Sequence, residues 1–207
     1  MQETPPLNAF IFDLGKVIVD WNPGYLLHEI APDETQLKFL VEEVLDLEWF
    51  RAVDAGYPLS KAIAERSEIY PEYADAMQLY VDRWPETIRG FFEGTLEILR
   101  ELHASGVPLF VLSNWAGETW ARVEQDFAFL EFFDDVIISG HVGMAKPDDA
   151  IFKMARDRFN VDPAATLFID DGLKNVEAAK VVGFQTVLFE TPEKLRQDLI
   201  NLGVFAS

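Results

Sequence analysis

Short, continuous apolar runs recur along the chain, and most of them end in polar residues or glycine. These runs cover residues 9–12, 107–112, 136–138, 166–169 and 186–189. Apolar runs of this length are typical of strands buried on both faces of a parallel sheet. Stretches with helical apolar spacing separate them, at 95–104, 118–127, 148–158 and 173–182. The alternation predicts an α/β fold with a doubly wound, Rossmann-like parallel sheet.

The segment 21–89 breaks this alternation. Its apolar residues recur at helical spacing and no run in it is a convincing strand; the clearest group is Leu37, Leu40, Val41, Val44 and Leu45. We therefore expect a helical cap inserted between the first and second strands of the sheet. The predicted domains are a core of residues 8–20 and 90–207 and a cap of residues 21–89.

Charge and composition restrict the partners that we expect. The chain has 207 residues, 36 of them acidic and 17 basic, which gives a net charge of −19. A surface this acidic repels nucleic acid and anionic lipid, so neither is an expected partner. An anionic substrate would need a local positive site or a bound cation. Cysteine is absent, which excludes disulfides and thiolate chemistry.

The first residues, MQETPP, contain no basic segment, and no apolar run approaches the ~20 residues of a membrane span. The sequence therefore predicts a cytoplasmic protein without a membrane segment.

Polar residues follow the predicted strands at the edge of the sheet where sites of this fold class form. They are Asp13, Ser113, Asn114, Asp170 and Asp171, with Lys146 in a loop before a predicted helix. A carboxylate such as Asp13 can attack a phosphoryl group and form an acyl phosphate. Together with Asp170 or Asp171 it can hold Mg²⁺, a cation that favours carboxylate oxygens. Lys146 and Ser113 can then stabilise phosphoryl oxygens.

These residues belong to four motifs that resemble those of the haloacid dehalogenase-like (HAD) hydrolase superfamily. In chain order the motifs are FDLGKV at 12–17, LSN at 112–114, AKPD at 145–148 and FIDDGLKN at 168–175. The resemblance extends over residues 8–190, and 21–89 matches the position and helical character of that family's first-type cap. A sugar-phosphate phosphatase branch with FDLGNV in its first motif is especially similar.

The resemblance implies a role for each matching residue. Asp13 is the implied nucleophile and a metal ligand, and Lys146 steadies the charge of nucleophile and phosphoryl group. Ser113, with backbone amides near Asn114, is the implied phosphoryl-binding motif. Asp171, helped by Asp170, completes the Mg²⁺ site, to which the backbone carbonyl of Gly15 also contributes. Asn175 orients this last loop.

Two positions depart from the family pattern. Most phosphatases of the family carry a second aspartate two residues after the nucleophile, which protonates the leaving group; here that residue is Gly15. Lys16 stands where glycine is usual. Because general acid catalysis is worth ~10²–10⁴-fold, Gly15 implies slow turnover, a good leaving group, or an acid supplied by the substrate or the cap.

Three functions are compatible with these residues. The first is a phosphatase of small phosphorylated metabolites. The second is a 2-haloacid dehalogenase, since halide leaves without a proton and Arg51 in the cap can bind a carboxylate. Against it, dehalogenases of this type work without metal and carry uncharged residues in place of Asp170 and Asp171. The third is a non-catalytic binding protein on a HAD core.

Two tryptophans are further candidates for substrate contact. Trp21 and Trp115 each follow a motif closely enough to line the cleft between cap and core.

Overall fold

The computed structural model describes residues 6–31 and 33–206, and its centre is a five-stranded parallel sheet. In sequence order the strands are β1 (Ala9–Phe12), β4 (Leu109–Ser113), β5 (Asp135–Ile138), β6 (Thr166–Asp170) and β7 (Gln185–Leu188). Their spatial order is β5-β4-β1-β6-β7. The predicted doubly wound, Rossmann-like sheet is therefore confirmed, with β1 at its centre.

The strand register aligns the carboxyl ends of the three central strands. Phe12 of β1 pairs with Val111 of β4 on one side and with Ile169 of β6 on the other. The residues that follow these pairs, Asp13 and Asp170, therefore come to the same edge. All residues of β1, β4 and β6 are buried, which explains their continuous apolar sequence.

Helices cover both faces of the sheet and bury two apolar clusters against it. The longer ones are α6 (Glu93–Ala104), α9 (Asp149–Phe159), α10 (Leu173–Val182) and α11 (Pro192–Asn201), with short helices α7 (Gly117–Trp120) and α8 (Ser139–Val142) between them. In α6, for example, the buried residues are Thr95, Leu96, Ile98, Leu99 and Leu102.

Between β1 and β4 the chain is mainly helical. Its α-helices are α1 (Gly24–Ile30), α2 (Glu34–Phe39), α3 (Leu47–Asp54), α4 (Leu59–Ile69) and α5 (Ala74–Asp82), with a π-helical turn at Leu40–Val44. Residues 21–89 are hereafter the cap segment; its bounds as a domain remain a prediction.

Two short strands were missed at the ends of this segment. β2 (Val19–Trp21) and β3 (Ile88–Phe91) form a two-stranded antiparallel ribbon in which Trp21 pairs with Ile88. The expectation that 21–89 contains no strand is therefore wrong at its margins. Neither strand is a continuous buried apolar run, since Val19 is their only buried residue, and the pairing of two distant segments creates them.

The expected helix at 118–127 is also shorter than predicted. The α-helix ends at Trp120, and 3₁₀ turns follow at Glu124–Asp126 and Ala128–Phe132. Phe127 lies between them and packs its ring on Phe129, with centroids 5.4 Å apart, and edge-on against Phe91. Tertiary packing of these rings replaces the helix that local spacing favours.

No helix in the described part of the chain is long and apolar enough to cross a membrane. Residues 1–5, on which part of the cytoplasmic prediction depends, lie outside the described residues.

Candidate active site

Four of the predicted site residues meet at the carboxyl edge of the central strands. Ser113 donates its hydroxyl hydrogen bond to Asp13 Oδ1 at 2.8 Å, and Lys146 Nζ lies 3.0 Å from the same oxygen. Lys146 Nζ also lies 2.6 Å from Asp170 Oδ2. The sheet thus brings together residues that are more than 150 positions apart in sequence.

Lys146 is the centre of this group. Its ammonium group donates to Asp170 Oδ2 and, at 2.9 Å, to the carbonyl of Leu112, and it forms the ion pair with Asp13. Burial lowers the pKa of Lys146, but the carboxylates of Asp13 and Asp170 outweigh this effect and raise it above the usual value. Lys146 is therefore a fixed positive charge, although its side chain is fully buried.

Asn114 holds the loop that carries Lys146. Its Nδ2 donates to the Lys146 carbonyl and its Oδ1 accepts from the Lys146 amide, both at 2.8 Å. The sequence predicted contact with substrate for Asn114. In the structure the side chain makes this reciprocal pair of hydrogen bonds, and the residue also borders the cavity described below.

Asp170 is engaged on both carboxylate oxygens. Oδ2 pairs with Lys146, while Oδ1 accepts from the amide of Gly172 at 2.7 Å and from Asn175 Nδ2 at 2.9 Å. Asn175 thus holds the loop that follows β6, the position that the resemblance implied for it. Asp170 has less free coordinating capacity than Asp13 or Asp171.

Asp13, Asp170 and Asp171 can each present one oxygen such that all three oxygens lie within 4.8 Å of one another. When ionised they carry −3 against the +1 of Lys146, so the group is −2 in net charge. Burial raises the pKa of Asp13 to about 7, with Asp170 and Asp171 adding to the effect and Lys146 opposing it. Burial, and then Asp170, also raise the pKa of Asp171. A hard divalent cation fits this set, because it neutralises the excess charge with the oxygen ligands that it prefers.

Gly15 and Lys16 have distinct backbone conformations. A Cβ at Gly15 would meet only Trp21 Cε3, at 3.9 Å, and the Gly15 backbone is not left-handed. Lys16 is left-handed, with φ of 61°, which explains why glycine suits that position. Lys16 Nζ lies 5.9 Å from the centre of the Trp21 ring, and its charge partly opposes the rise in the pKa of Asp171 that burial and Asp170 cause.

A cavity of about 390 Å³ lies between the cap segment and the core beside these residues. Six predicted site residues line it: Gly15, Trp21, Arg51, Asn114, Trp115 and Lys146. The other four, Asp13, Ser113, Asp170 and Asp171, are not among the described residues of its wall. Most of the wall is apolar and aromatic, with Trp49, Phe50, Tyr80 and Trp84 contributed by the cap segment. The indole N–H groups of Trp21 and Trp115 are buried and have no hydrogen-bond partner among the described residues.

Sequence reasoning missed two charged residues in this wall, Lys174 and Asp54. Asp54, the last residue of α3, lines the cavity one helical turn after Arg51. Spacing of i and i+3 places both on one helix face, and this is the signal that the sequence offered. Nothing in the sequence placed that face against the core.

Comparison with known proteins identifies the class. The family model of haloacid dehalogenase-like hydrolases matches residues 7–183. The chain belongs to this family, and it is a hydrolase.

Individual relatives are distant. Drimenol cyclase drtB of Aspergillus calidoustus is 24% identical over 95% of this chain, which spans only 36% of that protein. Sesquiterpene phosphatase astK of Aspergillus oryzae is 27% identical, with 84% of this chain and 86% of that protein covered. (S)-2-haloacid dehalogenase 1 of Pseudomonas sp. is 24% identical, with 88% of this chain and 84% of that protein covered.

Solved structures agree on the fold. A HAD-like family hydrolase of Porphyromonas gingivalis superposes with a TM-score of 0.76 at 24% identity, covering 96% of this chain and 98% of that chain. A second structure is the HAD family enzyme bt-2542 of Bacteroides thetaiotaomicron in complex with magnesium and inorganic phosphate. It superposes with a TM-score of 0.70 at 22% identity, covering 89% of this chain and 95% of that chain.

Proposed function

We propose that this chain is a Mg²⁺-dependent phosphatase of small phosphorylated molecules that acts through an aspartyl-phosphate on Asp13. The observation that carries the proposal is the group of three clustered carboxylates around one buried lysine. Its net charge of −2 suits a divalent cation, and the cation in turn attracts a phosphate ester. The bound cation would thus allow a strongly acidic protein to bind small phosphorylated molecules, which are its proposed partners.

The two carboxylate oxygens of Asp13 have different contacts. Oδ1 accepts from the Leu14 amide at 2.7 Å and from Ser113, and it pairs with Lys146. Oδ2 accepts no hydrogen bond from the described residues, so it is the oxygen available for attack on phosphorus. The bond from Oδ2 to phosphorus forms as the ester P–O bond breaks, and water then hydrolyses the aspartyl-phosphate to release phosphate.

Mg²⁺ would be held by Asp13, Asp171 and the carbonyl of Gly15, with Asp170 as a further candidate. When bound, the cation stabilises the negative charge that develops on the phosphoryl oxygens. Lys146 contributes a fixed positive charge at the same place, and Ser113 keeps the Asp13 carboxylate oriented.

The two alternatives account for fewer observations. Two observations favour a 2-haloacid dehalogenase: the similarity to (S)-2-haloacid dehalogenase 1, and Arg51 at the cavity as a carboxylate-binding cation. The clustered carboxylates argue against it, because without a cation they repel a carboxylate substrate. A non-catalytic binding protein would have no need for the buried Lys146 between Asp13 and Asp170.

The cavity favours a substrate whose organic part is largely apolar. Its wall is mostly aromatic and aliphatic, and burial of apolar substrate surface there is worth about 25 cal/mol per Å². The unpartnered N–H groups of Trp21 and Trp115 can each donate to a substrate oxygen. The similarity to a sesquiterpene phosphatase supports the same class of substrate.

A panel of phosphate monoesters tests the proposal, ranging from sugar phosphates to aryl, alkyl and isoprenoid phosphates. We expect phosphate release with Mg²⁺, none with EDTA, and the highest kcat/KM among apolar esters. Asp13→Asn should abolish turnover of every ester, because an amide does not attack phosphorus. Release of chloride from 2-chloropropionate without Mg²⁺, and no phosphate from any ester, would establish the dehalogenase instead.

A further inference from the structure

Asp54 belongs to the cap segment but is bound to the core. Ser139 donates its hydroxyl hydrogen bond to the Asp54 carbonyl at 2.6 Å and accepts one from the Trp115 amide at 2.8 Å. The backbone amide of Ala116 faces the Asp54 carboxylate as a hydrogen-bond donor. These contacts fix Asp54 beside the loop that follows Ser113, the residue whose hydroxyl group binds the nucleophile Asp13.

Asp54 is also the only carboxylate that lines the cavity within the described part of the chain. Gly15 and Lys146 lie in the same wall, and Asp54 is close enough to Asp13 and Lys146 for their charges to act on it. In an in-line attack the leaving group departs on the side of phosphorus opposite Asp13. The cavity, which Gly15 and Lys146 border, is where we place that leaving group.

The environment of Asp54 allows its carboxyl group to gain and lose a proton near neutral pH. Burial raises the pKa of Asp54 to about 7, with a further contribution from Asp13 and an opposing one from Lys146. An acid whose pKa lies near the operating pH is suited to proton transfer.

We propose that Asp54 is the general acid and base of the reaction and supplies the group that Gly15 lacks. As the P–O bond breaks, its electron pair goes to the leaving-group oxygen, which takes the proton of Asp54. In the second step the Asp54 carboxylate takes a proton from the attacking water as the oxygen–phosphorus bond forms. The Asp13–phosphorus bond then breaks, and both aspartates return to their initial states. This assignment rests on the proposed phosphatase function.

The test compares leaving groups in Asp54→Asn. p-Nitrophenolate departs without a proton, so kcat/KM for p-nitrophenyl phosphate should stay within about threefold of the parent value. Phenyl and alkyl phosphates need the proton, and their kcat/KM should fall by about 10²–10⁴-fold. Asp75→Asn, the same change at an exposed position of α5 outside the cavity, should leave both values unchanged.

The ratio of the two rates in one sample does not depend on the fraction of folded protein, so a destabilised variant still gives an answer. An equal loss for good and poor leaving groups would overturn the role of Asp54 while leaving the phosphatase intact. No hydrolysis of any ester by the parent protein with Mg²⁺ would overturn the proposed function itself, and the role of Asp54 with it.

Discussion

Lys146 and Asp170 form a fully buried ion pair, with Nζ 2.6 Å from Oδ2 and neither side chain exposed. The pair belongs to a group with more negative than positive charge, since Asp13 and Asp171 lie nearby. Removing Lys146 and removing the charge of Asp170 should therefore affect stability to different extents. Loss of Lys146 leaves three carboxylates together, whereas loss of the Asp170 charge relieves part of their repulsion.

We predict that Lys146→Met destabilises the metal-free protein by about 3–5 kcal/mol, the usual cost of breaking a buried pair. Asp170→Asn should cost less, because the remaining charges balance better. Urea unfolding in EDTA measures both. Asp149→Asn, which breaks an exposed pair with Lys153, is the control and should change stability by less than about 1 kcal/mol. A larger loss in Asp170→Asn than in Lys146→Met would contradict this charge balance.

Mg²⁺ should stabilise the folded protein through the same carboxylates. At a concentration 100 times its dissociation constant, a ligand that binds only the folded state adds about 2.7 kcal/mol. We expect a higher melting temperature in Mg²⁺ than in EDTA, and a much weaker effect in Asp171→Asn, together with lower activity. Asp149→Asn should respond to Mg²⁺ like the parent protein. An unchanged Mg²⁺ titration in Asp171→Asn would remove that residue from the metal site.

The sequence predicted the sheet well because its strands are buried on both faces. Such strands must be continuously apolar, and the run 9–12 coincides with β1. Polar residues directly after these runs had to come to one edge, and the structure brings Asp13 and Asp170 there. Because parallel strands all run in the same direction, residues that follow each strand in the sequence meet at one edge of the sheet.

The same reasoning did not extend to contacts between the cap segment and the core. Asp54 is one of many acidic residues in the chain, and its place in the cavity wall and its contacts with Ser139 and Ala116 appear only in the fold. The ribbon of β2 and β3 depends equally on pairing between distant residues, Trp21 and Ile88. Local sequence contains no information on which helix face meets which loop.

Leu47 offers a test of the apolar cavity without damage to the core. It lines the cavity, yet 71% of it is exposed to solvent, so it lies at the mouth. Leu47→Ser should raise KM for octyl phosphate by about 3- to 10-fold, since roughly 1 kcal/mol of apolar contact is lost, and should leave KM for a sugar phosphate unchanged. Val181→Ser on α10, 76% exposed and outside the cavity, is the matched control. An equal rise for both substrates would show that Leu47 does not contact the organic group.

The helix that carries Asp54 begins at an ion-paired cap. Asp46 accepts from the Trp49 amide at 2.7 Å and pairs with Arg66 at 2.7 Å. Burial raises the pKa of Asp46, but these two partners outweigh it and hold the pKa below the usual 3.8. The stabilisation is therefore complete above the unfolded-state pKa and is lost as pH falls through the folded-state pKa.

Asp46→Ala should cost about 0.5–2 kcal/mol at neutral pH. The difference from the parent should shrink as the pH falls below 3.8 and Asp46 is protonated. Urea unfolding across this range measures it. Asp33→Ala removes a cap that accepts from the Gln36 amide at 2.9 Å, without an ion pair, and should cost less. A pH-independent loss in Asp46→Ala would show that the carboxylate charge contributes nothing.

Gly15 and Asp54 provide the sharpest prediction, because one is the position where a phosphatase of this family usually carries its acid and the other is the proposed replacement. A side chain at Gly15 is sterically acceptable: its Cβ would meet only Trp21 Cε3 at 3.9 Å, an ordinary contact, and the backbone needs no left-handed angle. Gly15→Asp in the Asp54→Asn background should therefore restore an acid near the breaking bond. Hydrolysis of phenyl phosphate should rise at least about tenfold over Asp54→Asn alone, a small part of what general acid catalysis supplies.

The matched control is Gly15→Asn in the same background, which adds the same volume without an acidic proton. In the parent background Gly15→Asp should change the rate little, because Asp54 already donates the proton. Equal rates for the Asp and Asn double variants would mean that the cavity beside Gly15 is not where the leaving group receives its proton.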